Sequence, residues 1–176
     1  RVYDPKTKSW KVIGGGAGGS AGTGGAGNAG SSGSGALNPD TGKAITQDDS
    51  HVFCTPDQIE TVYQEIIEMV QTFFSVINMP FRARLSFRDP KTPEKYLGED
   101  ALWQRAQDTI LTIAKKNNLD YFIAEGEAAF YGPKIDFMAT DAIGRELQLA
   151  TPQLDFVQPA RFELEYTDKA GSKKTP

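Results

Sequence analysis

The chain has 176 residues, 39% of them hydrophobic with ten Phe and two Trp, and a net charge of −4. That is enough apolar side chain for one packed domain with an appendage. The mixed, slightly acidic charge argues against gripping nucleic acid through a basic face of its own. The one Cys, Cys54, cannot close an internal disulfide, and no apolar run approaches the roughly 20 residues that span a bilayer. Residues 1–13 lack the apolar core of a signal peptide, so a cytoplasmic setting is expected.

In chain order, Val2-Tyr3 and Trp10-Lys11-Val12-Ile13 flank the polar, Pro-containing stretch 4–9, which predicts a β-hairpin over 1–13. Residues 14–35 are almost wholly Gly, Ala and Ser and hold twelve of the eighteen glycines. Such a segment has little side chain to bury and a large ordering cost, so it predicts a flexible linker, in keeping with an engineered junction. A phosphate-cradling loop would need Gly-Lys-Ser/Thr opening a helix, or a strand before and a helix after; neither context is present. Residues 36–176 form the third segment, of ordinary globular composition.

Within it, Thr55-Pro56-Asp57-Gln58 is a helix start with Thr as N-cap, Pro at the first position and Gln three residues after the cap. Ile59, Val62, Tyr63, Ile66, Val70, Phe73 and Ile77 then recur at helical spacing as the expected buried stripe, with the end near Asn78. Residues 81–87 alternate with period two and read as a half-buried strand. A second helix is expected over about 99–117, with Leu102, Ala106, Ile110, Ile113 and Ala114 facing the core. Further strands are predicted at 121–124, 135–139, 146–154 and 161–166, with a turn at 141–144. The sum is an α+β fold with a mostly antiparallel sheet and two main helices.

Three segments carry chemistry: Thr46-Gln47-Asp48-Asp49-Ser50-His51, then residues 126–137 around Tyr131-Gly132-Pro133-Lys134, then Gln148-Leu149-Ala150-Thr151-Pro152-Gln153. On a strand, Gln47, Asp49 and His51 would share one face. Tyr131 to Lys134 predicts a tight turn that presents a ring and a cation, and also fits an ordinary surface turn. Gln148 and Gln153 within an apolar strand suggest a pocket, or a face open to solvent.

In order and spacing these segments resemble the central part of the threonyl-tRNA synthetase catalytic domain, a class II fold. Arg84-Leu85-Ser86, Arg88-Asp89-Pro90, residues 94–98 and Trp103 match the stretch between them, so the likeness covers about three quarters of the chain. The resemblance implies activation of threonine with ATP and Mg²⁺ and transfer to tRNA, with a zinc ion on the threonine amino and hydroxyl groups. It implies His51 as a zinc ligand, set against the alternative of a hydrogen-bonded, partly buried His. It implies Asp49 at the substrate ammonium and Gln47 beside it. Tyr131 and Lys134 would stand near substrate and adenylate, and Gln148, Thr151 and Gln153 would line the amino-acid and adenosine pocket.

The chain also departs from the family pattern. Asn38-Pro39-Asp40-Thr41-Gly42-Lys43 replaces an Arg-rich strand, and the α-phosphate clamp position falls inside the Gly-rich run. Each lost cationic contact to a developing phosphate charge would cost roughly 3–4 kcal/mol. The other zinc ligands, the upstream dimer-forming motif and the downstream ATP-binding Arg have no counterpart here. Leu147 and Leu149 stand in place of Trp and Cys, and Ala128 in place of Gly. The expectation is an incomplete, inactive catalytic-domain fragment that binds no cofactor stably and is open to self-association. The alternatives are an engineered scaffold on the synthetase fold and a non-catalytic threonine- or adenosine-binding paralogue.

Overall fold

The computed structural model describes residues 49–176 and, ahead of them, the backbone of four short strands. The chain divides into two units, Arg1–Cys54 and Thr55–Pro176. In the first, β1 (Val2–Asp4) pairs antiparallel with β2 (Ser9–Lys11), with Tyr3 opposite Trp10. Likewise β3 (Ala36–Leu37) pairs antiparallel with β4 (Ala44–Ile45). The Gly-rich run over 14–35 and Gln47 lie outside the described residues.

The second unit opens as its sequence predicts. Gln58 Oε1 accepts from the Thr55 backbone N–H at 3.0 Å and from the Thr55 hydroxyl at 2.9 Å. This box leads through a short 3₁₀ turn, Pro56–Gln58, into α1 (Ile59–Val76). The helix stops at Asn78, which takes a φ of 50°. Met79 N–H then reaches the Phe74 carbonyl at 3.0 Å and Asn78 N–H the Ser75 carbonyl at 3.2 Å, a left-handed cap that satisfies the final carbonyls. After β5 (Phe81–Phe87), α2 (Asp100–Lys116) ends in the same way at Asn118, also with φ 50°.

The sheet is completed by β6 (Tyr121–Glu125), β7 (Lys134–Thr140) and β8 (Glu146–Ala150), in the order β6-β5-β7-β8. β5 and β6 are parallel, as strands joined through a helix can be, and the other two pairings are antiparallel. Beyond the sheet come α3 (Gln158–Arg161) and the small hairpin of β9 (Tyr166–Thr167) and β10 (Lys173–Lys174). The architecture is α+β, a mostly antiparallel four-stranded sheet with two main helices.

Period-two alternation divides the sheet into unlike faces. Ala83 and Leu85 of β5 and Ile135, Phe137 and Ala139 of β7 are fully buried on one face. There they pack with Tyr63, Ile67 and Phe74 of α1 and Ile110, Ile113 and Ala114 of α2. Arg84, Ser86, Lys134 and Asp136 occupy the alternate positions and so lie on the other face.

Three expectations need correction. The buried stripe of α1 runs through Val62, Tyr63, Ile67 and Phe74, whereas Phe73 is 58% and Ile77 44% exposed. Apolar residues occupy more than half of this helix, so two stripes offset by one residue fit the spacing, and packing selects between them. Trp103 takes the fully buried position beside the half-buried Leu102. Residues 161–166 are not a strand: the turn of α3 ends at Arg161, Glu163 takes φ 53°, and pairing starts only at Tyr166. Pro159 suits the first turn of a short helix, which the apolar alternation of the following residues obscured. Among the described residues no helix is long and apolar enough to cross a membrane.

The corrected stripe is testable. Ile67→Ala is expected to lower unfolding stability by about 2–5 kcal/mol, whereas Ile77→Ala should stay within about 0.5 kcal/mol. Urea denaturation of the two variants measures both.

Candidate functional site

The polar face of the sheet centres on Asp136, whose side chain is completely buried. Arg84 donates to its Oδ2 from Nε at 3.1 Å and Nη2 at 2.9 Å, and Ser86 Oγ donates to the same oxygen at 2.6 Å. Its Oδ1 accepts from Lys134 Nζ and from Thr151 Oγ1, each at 3.1 Å. Two cations and two hydroxyls therefore meet one carboxylate, which is how a buried charge is tolerated. Glu127 stands 3.9 Å from the Arg84 guanidinium and adds a second, more distant anion.

Gln148 joins this cluster from β8. Its Oε1 accepts from Arg84 Nη2 at 3.0 Å and its Nε2 donates to Thr151 Oγ1 at 2.7 Å. Gln148 and Thr151 are three apart, so on a regular strand they would face opposite ways. A β-bulge removes the conflict. Met138 lies opposite Gln148 but Phe137 lies opposite Ala150, leaving Leu149 without a counterpart in the register. The extra residue resets the parity, and both side chains reach the Asp136 face.

Gln153 follows on the same face, bridged to Lys134, and Tyr131 Oη donates to its Oε1. Tyr131 is carried by a tight turn closed by the Ala129–Gly132 bridge. That turn runs against the chain beyond β8: a Cβ on Gly132 would lie 1.8 Å from the Leu154 carbonyl oxygen, a distance only glycine can avoid. The Phe130 carbonyl accepts from Leu97 N–H at 2.7 Å, and the Leu97 carbonyl in turn accepts from Trp103 Nε1 at 2.7 Å. The Trp103 ring meets Tyr96 and Phe156 edge-on, with centroids 5.2 Å and 5.7 Å away, and lies 5.7 Å from the Arg88 guanidinium. The buried indole thus holds the loop that supports the Tyr131 turn.

Asp89 organises the start of that loop. The backbone N–H of Lys91 and then the hydroxyl of Thr92 hold its carboxyl below the usual carboxylate value. Its own N–H donates to Tyr96 Oη at 3.1 Å.

The structure brings together Lys134, Gln148 and Thr151, with Tyr131 and Gln153 alongside. Arg84, Ser86 and Asp136 belong to the same cluster, although sequence reasoning assigned them no role. Their signal was available: polar residues at alternate positions of otherwise apolar strands must share a face. Asp49 and His51 fall in the other unit, exposed and in irregular chain, so the shared strand face expected for them is not formed there. Among the described residues no group of three His, Cys, Asp or Glu side chains is placed to hold a metal ion.

The α+β fold, a mostly antiparallel four-stranded sheet with two main helices, is that of a fragment of the class II tRNA synthetase core. Residues 42–176 match the family model of that core domain, the one shared by the G, H, P, S and T enzymes, and the chain belongs to this family. Within the family its likeness is to the threonyl member. It is 49% identical over 136 residues to a threonine–tRNA ligase of Gloeobacter violaceus and 44% identical over 135 residues to that of Cytophaga hutchinsonii, covering 76% of this chain in each case. The chain spans 22% and 21% of the lengths of those two relatives. A crystal structure titled as the RNA binding domain of the Cryptosporidium parvum threonyl-tRNA synthetase superposes with a TM-score of 0.68 at 34% identity, over 76% of this chain and 33% of that one.

Gly132→Ala is expected to destabilise the fold by about 1–3 kcal/mol and to part Tyr131 from Gln153, as thermal unfolding and Tyr131 ring resonances would show. Because the Asp89 carboxyl ionises more readily in the fold, its hold on the loop is complete above the ordinary carboxyl value. That hold is lost as pH falls through the lowered one. NMR titration should place the Asp89 midpoint below about 3.9, with faster Lys91 N–H exchange once it is protonated.

Proposed function

We propose that the polar sheet face is the amino-acid side of a threonine–tRNA ligase pocket, and that this chain alone does not activate threonine. The charge balance at Asp136 carries the reading. Arg84 and Lys134 both converge on that carboxylate, and Glu127 stands near Arg84 as well. Activation by ATP builds negative charge at the α-phosphate and needs a cation aimed at it. Here the guanidinium is already engaged by Asp136 and Gln148.

The groups that remain available are neutral hydrogen-bonding ones. Gln148 and Gln153 are exposed and Thr151 is half-buried. Such groups suit the hydroxyl and ammonium of a small amino acid better than a phosphate. Tyr131 and Lys134 would stand at the adenylate end. Threonine, ATP and tRNA are the substrates of the whole ligase, with Mg²⁺ as its cofactor, and a cytoplasmic setting fits that role. A chain of net charge −4 would not hold tRNA by electrostatics alone.

Threonine-dependent exchange between ATP and pyrophosphate is expected to stay at background for this chain, and clear exchange would refute the second half of the proposal. A threonyl-sulfamoyl-adenosine analogue should shift the side-chain resonances of Gln148 and Thr151. Shifts confined to other parts of the chain would refute the first half.

A further inference from the structure

We propose that Asp136 is a positioning residue that sets the hydrogen-bonding polarity of the site. It commits the Thr151 hydroxyl proton inward and so, together with Arg84, fixes the Gln148 amide in one of its two orientations. The ligand arm of this inference rests on the amino-acid-side reading above; the rest stands on the hydrogen bonds alone.

The four groups form a closed circuit. With Arg84 and Lys134 both within 3.1 Å, Asp136 acts as an acceptor for everything that faces it. Thr151 has one hydroxyl proton, and it points to Asp136 Oδ1 at 3.1 Å. Toward Gln148, 2.7 Å away, Thr151 can then only accept, so the Gln148 atom facing it must be the amide nitrogen. At the other end Arg84 Nη2, 3.0 Å from Gln148, has no acceptor to offer, so the atom facing it must be the amide oxygen. A flipped amide would set donor against donor at Arg84 and acceptor against acceptor at Thr151.

The outward capacity follows by subtraction. Thr151 keeps one lone pair and no proton. Gln148 keeps one N–H and one carbonyl lone pair. A ligand group that faces Thr151 must therefore donate: a hydroxyl or an ammonium fits, and a carboxylate or phosphate oxygen is repelled. Asp136 imposes this choice without touching the ligand.

The test reads the Gln148 side-chain amide by ¹⁵N NMR in the full 176-residue chain. In the native chain its two protons should be separated more widely than those of a free amide, the one toward Thr151 exchanging with water about tenfold more slowly. Asp136→Asn should bring the separation and the exchange of the two protons back to the values of a free amide, while the resonances of Ile110 and Phe137 stay in place. Should that variant not fold, Asp136→Asn combined with Lys134→Met removes one charge of each sign and gives the same reading. Thr151→Ser should keep the native signature and Thr151→Val abolish it. A Gln148 amide unchanged by loss of the Asp136 carboxylate would overturn the proposal, as would a signature that survives Thr151→Val. In the ligand arm, Asp136→Asn should weaken binding of threonyl-sulfamoyl-adenosine about tenfold. If the native chain does not bind the analogue, the amino-acid-side reading fails, and the amide signature still decides the role of Asp136.

Discussion

A carboxylate taken wholly out of water must be met by donors, and in this fold that requirement falls on Asp136. Leaving such a charge unpaired costs several kcal/mol, comparable to a large part of a small domain's stability. The donors come from β5, from β7 itself and from the residues just past β8. Meeting the requirement therefore fixes the lateral order and the register of three chain segments together. The opposite face of the same strands is met by the helices through apolar contact alone. The sheet is thus held from two sides by different physics: non-directional burial beneath, and directional hydrogen bonds above. The directional side is the one that presents chemistry.

Much of the fold was legible in the sequence because its signals are local. The Thr55-Pro56-Asp57-Gln58 start, the helix end near Asn78 and the alternation over 81–87 each depend on a few neighbouring residues, and the chain folds accordingly. The face of α1 was not legible, since Ile66, Ile67, Phe73 and Phe74 are all apolar and spacing alone cannot rank them. The segment from 161 to 166 misled for a related reason: its alternation imitates a strand, while Pro159 and a left-handed Glu163 set a helical turn.

The site was legible in its members more than in its arrangement. Resemblance to the synthetases picked out Lys134, Gln148 and Thr151. The strand periodicity assumed for this stretch, however, would have sent Gln148 and Thr151 to opposite faces. The bulge at Leu149 that unites them has no sequence signature as plain as a glycine or a proline. Asp136, Arg84 and Ser86 were passed over because a buried ion cluster within a sheet reads, one residue at a time, as ordinary surface alternation. Only pairing across strands, with Arg84 opposite Asp136, shows that the polar positions meet.

The place of β5 also bears on how the chain comes into being. It is the first strand of its sheet to be made and lies between two strands made later. Arg82 meets Asp120 across 38 residues, Arg84 meets Asp136 across 52, and Arg84 reaches Gln148 across 64. At ribosomal speeds, the 52 residues between Arg84 and its carboxylate correspond to roughly 3–10 s of synthesis. For most of that interval, until β6 has been made, a nascent chain bears the apolar face of α1 and a strand with neither neighbour in place. The sheet grows outward from its middle, and its earliest strand is the one that depends longest on whatever shields a half-made protein.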